Sequence, residues 1–227
     1  LDQEKRLWNS LPGTQKEGKY IAQITNAKLL LGDEASSINI QNTQSPKILH
    51  IATHSFYMTN NSKDDIFASI LFSGSETENI KKLENPLLRS GIVLAGANNP
   101  DKNIYDDGYL TALEVSKLNW NNTELVVISG CESGQGEIKA GEGVYGLKRA
   151  IAVAGARSSL LSLWEVDDRA TAEFMETFYK KLKNGEGRAD ALAKTQKEFR
   201  RHSIQAWRHP YVWAAFQLSG DWRPINW

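Results

Sequence analysis

The sequence predicts an α/β fold with a mainly parallel central sheet flanked by helices, and three observations carry that prediction. KILHIATH (47–54), ELVVISG (124–130) and SSLLSLW (158–164) are short apolar runs without clean alternation, as expected of strands covered on both faces. Helix-period segments separate them, so strand and helix alternate along the chain. The chain has 227 residues, which suits one large domain burying roughly three quarters of its unfolded surface, and no Pro/Ser/Gly-rich linker divides it.

Taken in order, LPGTQKEGKYIAQITNAKLLLG reads as a turn and a helix feeding a strand. Thr14 and Glu17 have the spacing of a capping box, and Lys28 to Leu31 is the expected strand, ending at Gly32-Asp33. A polar, helix-compatible stretch closes at Pro46. Residues 56–108 hold apolar pieces, ASILFSG and GIVLAG, between polar loops, with NNPDKNIYDDG as an exposed excursion. LTALEVSKL offers one or two helical turns. GVYGLKRAIAVAGA is a helix with Ala150, Val153 and Ala154 on one face, stopped by Gly155. The next helix carries Phe174, Met175, Phe178, Tyr179 and Leu182 at i, i+1, i+4, i+5 and i+8, an amphipathic stripe. Arg188 to Arg200 is a further helix, and Trp213 to Leu218 the last strand.

Composition narrows the function. Lys+Arg and Asp+Glu are both 27, so no global basic field points to nucleic acid, although a local patch escapes such a sum. The apolar runs are far too short to span a membrane as helices, and LDQEKRLW is charged where a signal peptide needs an apolar core. A single cysteine forms no internal disulfide, which points to a reducing, cytoplasmic setting. Without an initiator Met, the chain reads as a domain excised from something longer.

Ligands of doubly wound sheets sit beyond the carboxyl ends of the strands. Cys131 follows VVIS by two residues and His54 ends LHIAT, so a thiol and an imidazole emerge on one rim. A thiol with a pKa of about 8.5 needs help to ionise at neutral pH, and a histidine can serve as base or protonate a leaving amine. The ordinary alternatives are a small buried Cys and a hydrogen-bonded structural His. GEGVYG (141–146) matches the dinucleotide pattern G-x-G-x-x-G, but a Rossmann strand runs straight into its first glycine, and here eleven residues separate Ser129 from Gly141. His50 and His54 lie four apart on an expected strand, roughly 13 Å at about 3.3 Å per residue, too far to share an ion. No metal and no cofactor is expected.

The run ELVVISGCESGQGEIKAGEGVYGLKRAIAVAGARSSLLSLWEVDDRATAEFMETFYKKLKNG strongly resembles the CHAT domain family, caspase-like domains often attached to tetratricopeptide repeats. LPGTQKEGKYI, ILHIATHSF, DDGYLTALEV and HPYVWAAFQLSGDWRPI match it too, so the resemblance runs from about Leu11 to Trp222. LLRSGIVLAGAN and HPYVWAAF look most like cyanobacterial members of the heterocyst-regulator type. The resemblance implies a caspase-like three-layer fold and a place beside the caspases, separases and metacaspases. It implies Cys131 as nucleophile, His54 as acid/base partner, and an oxyanion hole from the backbone N–H groups of Cys131 and Ser55. The family's ATHG carries Gly where this chain has Ser55, which strains the backbone if the position needs a positive φ.

LWEVDD resembles the separase loop bordering the primary specificity pocket. Glu165, Asp167 and Asp168 would there suit Arg or Lys in a substrate, with Asp33 (beside Glu34) as a further acid and Ser129 as a wall residue. Asp167 and Asp168 are equally read as caps of the following helix. The expectation is a single peptidase domain over 1–227, a cysteine endopeptidase cutting protein or peptide substrates after a basic residue. A regulatory domain or activator is its expected partner, with no nucleic acid and no membrane. The alternative is a catalytically weak interaction and signalling module.

Overall fold

The computed structural model describes residues 7–58, 85–99, 106–130 and 140–227. Helix α1 (Pro12–Thr25) opens it, followed by a 3-10 turn at Gly32–Glu34 and the short helix α2 (Ser37–Gln41). Strands β1 (Ile48–Ile51), β2 (Ser55–Tyr57), β3 (Ser90–Val93) and β4 (Tyr109–Thr111) come next, then α3 (Ala112–Val115) and β5 (Leu125–Ile128). The second half runs α4 (Ala140–Val153), β6 (Ser158–Ser162), α5 (Asp168–Lys183), α6 (Arg188–Phe199), α7 (Pro210–Trp213) and β7 (Phe216–Gly220).

The central sheet has the order β1-β5-β6-β7. β1, β5 and β6 are parallel, and β7 returns antiparallel to β6. Side chains alternate across a strand, and β5 shows what this does. Leu125 and Val127 enter one core with Ile21 of α1 and with Phe174, Met175, Phe178 and Tyr179 of α5. Val126 and Ile128 enter the opposite core with Val115 of α3 and with Leu147, Ala150 and Ile151 of α4. Helices therefore cover both faces, giving the three-layer, caspase-like α/β architecture. The α5 stripe is fully buried, and each such Phe, Met or Leu stabilises the fold by roughly 1.5–3 kcal/mol.

The structure departs from several expectations. Leu11 precedes α1 and Pro12 opens it, so Thr14 caps nothing from outside and its hydroxyl bonds back to the Leu11 carbonyl. Glu17 is buried and spends its carboxylate on His50 instead. Lys28 to Leu31 joins no sheet among the described residues: α1 ends at a left-handed Asn26 and the chain runs directly to the 3-10 turn. Val153 faces solvent, because α4 turns Leu147, Ala150, Ile151 and Ala154 inward. Gly155 does stop that helix, with φ +100. Trp213 ends helix α7, and the last strand begins at Phe216.

A second, antiparallel sheet, β2-β3-β4, arises where the sequence showed only apolar fragments. GIVLAG supplies β3, whereas ASILFSG lies outside the described residues. The excursion is anchored at its far end, where buried Asp106 accepts from the Ser37 hydroxyl at 2.7 Å and from the Ile38 N–H at 3.2 Å. Among the described residues no helix is long and apolar enough to cross a membrane.

Candidate functional site: the rim at the ends of β1 and β5

Three elements meet at the carboxyl edge of the central sheet: the turn from β1 into β2, the end of β5, and the loop from β6 into α5. The first two touch. The Ser129 N–H bonds to the Ile51 carbonyl at 3.1 Å, extending the β1–β5 ladder. Gly130 then lies so close to the Thr53 carbonyl oxygen that any Cβ at this position would overlap it. His54 is therefore a rim neighbour of the residue that precedes Cys131. Cys131 itself lies outside the described residues.

The His54 backbone is locked on the second sheet, its carbonyl accepting from the Val93 N–H at 2.9 Å. Its ring is held from the other side. Nε2 lies 2.8 Å from the Asn9 carbonyl oxygen, and the Trp8 ring packs against the imidazole at a centroid distance of 5.4 Å. A carbonyl only accepts, so Nε2 carries a proton, and in the neutral tautomer this selects Nδ1 keeps its lone pair. Nδ1 is buried and has no hydrogen-bond partner among the described residues.

Ser55 begins β2, opposite Ile92. Bonds from the Val93 N–H to His54 and from the Met58 N–H to Arg89 set the phase of the β2–β3 ladder. That alternation turns the Ser55 N–H away from β3. Among the described residues the non-glycine positions with positive φ are Asn26 and Ser45. Ser55 is accordingly unstrained, and the serine costs the rim nothing in backbone energy.

The acidic loop divides its work. Asp167 caps α5, accepting from the Ala170 N–H at 2.9 Å. Asp168, half-buried, accepts from the Gly13 N–H at the start of α1 through Oδ2 and has no partner for Oδ1 among the described residues. Glu165 is exposed. Asp33 is also exposed, on the 3-10 turn. Ser129 is buried, with a hydroxyl that finds no partner among the described residues.

Other expectations resolve more simply. GEGVYG lies within α4, which begins at Ala140, so no loop is left there to cradle a phosphate. His50 faces α1 and α5, between Glu17 at 2.8 Å and the Tyr179 hydroxyl at 3.1 Å, and shares nothing with His54. Burial, reinforced by the Glu17 charge, pushes the Tyr179 phenol well above its ordinary pKa. Among the described residues no group of three or more His, Cys, Asp or Glu is placed to hold a metal. A cleft of about 430 Å³ lies on α6, lined by Gln196, Lys197, Arg200, Arg201 and Trp213 and sharing no residue with the rim.

Sequence reading missed Trp8, Asn9, Asn98 and Tyr109 as parts of this rim. An aromatic inside the charged run LDQEKRLW was the one available signal for Trp8.

The three layers and the histidine-bearing rim define a caspase-like α/β protein. The CHAT domain pattern matches residues 1–221, and the chain belongs to that family, which is related to caspase-like peptidases. It is 29% identical over 230 residues to the human (Homo sapiens) tetratricopeptide repeat protein 28, covering 98% of this chain and 9% of that protein. The mouse (Mus musculus) protein of the same name is 26% identical over 231 residues, with the same coverage. The chain thus spans 9% of the length of these curated relatives.

Proposed function

We propose that this chain is a cysteine endopeptidase that cuts after Arg or Lys, with Cys131 as nucleophile and His54 as its acid/base partner. The observation that carries the proposal is the fit of Gly130 against Thr53, which sets the residue before Cys131 beside the residue before His54. In this reading Nδ1 of His54 takes the thiol proton and the thiolate attacks the scissile carbonyl carbon. The Ser55 and Cys131 N–H groups receive the oxyanion. The C–N bond breaks as His54 returns the proton to the leaving amine. Water, deprotonated by Nδ1, then hydrolyses the thioester and regenerates the thiol.

Basic specificity is supported by Asp168, whose one oxygen is anchored on α1 while the other has no hydrogen-bond partner among the described residues and would receive the guanidinium. Glu165 adds charge nearby; Asp167 serves the helix, and exposed Asp33 and buried Ser129 complete the proposed pocket at its margins. The chemistry needs no cofactor. The same reading takes 1–227 as one peptidase domain acting on a protein or peptide substrate in a reducing compartment such as the cytoplasm, under a regulatory domain or activator.

The relatives' name refers to a repeat and not to a peptidase, which favours a second reading: an interaction and signalling module with weak catalysis. Treating the folded chain with an arginyl ketone probe and a matched aspartyl probe, and reading intact mass, separates the two. Fast arginine-selective labelling of Cys131 that slows in His54→Ala is expected of the peptidase. Slow, equal labelling by both probes in both proteins would leave the interaction module.

A further inference from the structure

The strap of Trp8 and Asn9 that crosses His54 is fixed at several points. The Asn98 carboxamide reads both main-chain groups of Trp8: its Oδ1 accepts from the Trp8 N–H at 2.8 Å and its Nδ2 donates to the Trp8 carbonyl at 3.0 Å. The Trp8 indole N–H donates to the Tyr109 hydroxyl at 3.0 Å, and that hydroxyl donates to the Ala97 carbonyl at 3.2 Å. Trp8 is 8% exposed and belongs to a core of its own with Phe56, Met58, Val93, Ala97 and Tyr109. All of this converges on one atom outside it, the Asn9 carbonyl oxygen 2.8 Å from His54 Nε2.

We propose that Trp8, Asn98 and Tyr109 are positioning residues: they hold the Asn9 carbonyl against Nε2 and so fix the ring orientation and tautomer of His54. Two-point recognition of one residue's N–H and C=O by a carboxamide imitates one rung of a β-ladder, and it sets the direction of the next carbonyl along the chain. The indole packs against the imidazole and limits its rotation. The ring is left with its proton outside and its lone pair inside, the state a general base needs. Because the contact uses a main-chain carbonyl, the Asn9 side chain is irrelevant to it. The inference rests on the peptidase reading only for what the poised nitrogen is used for.

Long-range proton–nitrogen NMR on the ¹⁵N-labelled chain tests it, with His54→Ala identifying the resonances. The expected result is a protected Nε2–H signal and an unprotonated Nδ1 in the starting protein. Asn9→Ala should leave that signal in place, and Trp8→Phe should largely keep it. Trp8→Ala and Asn98→Ala should lose it to exchange with solvent while far-UV dichroism stays unchanged. Should either alanine variant fail to fold, Asn98→Asp, which keeps the acceptor but not the donor, is expected to lose the signal in a folded protein. An Nδ1–H tautomer in the starting protein, or a protected signal that persists in these folded variants, would overturn the proposal. Probe labelling of Cys131 is read separately. Failed labelling with the stated NMR pattern removes the peptidase reading and leaves the strap standing, and normal labelling with an unchanged Nε2–H signal does the reverse.

Discussion

Gly130 and Thr53 are pressed together just beyond the carboxyl ends of β5 and β1, with the Thr53 carbonyl oxygen occupying the space a side chain at 130 would need. The Thr53 hydroxyl is tied at the same place to the Val93 carbonyl, at 2.6 Å, so Thr53 is not free to retreat. Contact between these two residues fixes the glycine that precedes Cys131 in the sequence against the residue that precedes His54.

Gly130→Ala should therefore damage both fold and chemistry. Forcing a methyl into this contact costs about 1–3 kcal/mol, which at this chain length lowers the melting temperature by roughly 2–4 °C for each kcal/mol. Labelling of Cys131 by the arginyl ketone should fall further than that loss explains, since the part that remains folded carries a displaced β5 end. Thermal melts and intact-mass labelling rates on the same sample check the pair of effects. A variant with normal labelling would show that the contact does not govern the rim.

The acidic loop gives a graded prediction. Asp168→Asn keeps an acceptor for the Gly13 N–H and loses the charge, so the fold should hold while arginyl labelling slows. A charge-assisted hydrogen bond is worth about 1.5–3 kcal/mol, which corresponds to roughly a tenfold to hundredfold change. Glu165→Gln, at an exposed position, should slow labelling by less than about fivefold. Asp167→Asn should be nearly silent in labelling, because that side chain is engaged by the Ala170 N–H. Equal slowing of arginyl and aspartyl probes by Asp168→Asn would remove this residue from the specificity pocket.

Much of this is legible in the sequence, and the limits follow from range. The α5 stripe and the β5 run declare themselves because a single period or a single composition decides them. Lys28 to Leu31 is as apolar as a strand, but apolarity does not dictate pairing: among the described residues the outer edge of β1 stays open while this segment runs from Asn26 into the 3-10 turn. The three-residue strands β2 and β4 are too short to show alternation. Asp106 looks like a surface loop acid until its partners, Ser37 and Ile38, arrive from a distant part of the chain. The same applies at the site: His54 and the glycine before Cys131 stand at recognisable strand ends, while Trp8 and Asn98 meet although they are 90 positions apart in the chain.

Away from the rim, a buried ion cluster ties the start of β5 to the head of α6 and the chain's end. Arg188, fully buried, pairs with Glu124, lies 3.6 Å from Asp221 and donates to the Arg223 carbonyl at 2.9 Å. Arg188→Ala should cost about 3–5 kcal/mol by leaving Glu124 without its inner partner. A double variant, Arg188→Met with Glu124→Leu, should cost less than that single change, and denaturant titrations measure both.

The same cluster sets an acid limb. Hydrogen bonds from Arg223, with the charge of Arg188 behind them, hold the Asp221 carboxyl well below the usual carboxylate range. A depressed folded-state pKa contributes stability that is present above the unfolded value of about 3.9 and is lost as pH falls through the folded one. Asp221→Asn should therefore flatten the fall in melting temperature below about pH 4, relative to the starting protein.

Asp107 should behave in the opposite sense. Burial, aided by the charges of Glu114 and Asp106, raises its pKa against the pull of the Tyr109 N–H, which it accepts at 2.9 Å. The folded state therefore disfavours the ionised form. No stability is lost to it below the unfolded pKa of about 3.9, and stability falls as pH rises from there through the folded value. Asparagine keeps the acceptor for Tyr109 without the charge, so Asp107→Asn should raise the melting temperature at pH 7 and leave it nearly unchanged at pH 3. Equal shifts at both pH values would mean that the charge of Asp107 is not what strains this turn, and that its carboxylate is compensated by groups other than Tyr109.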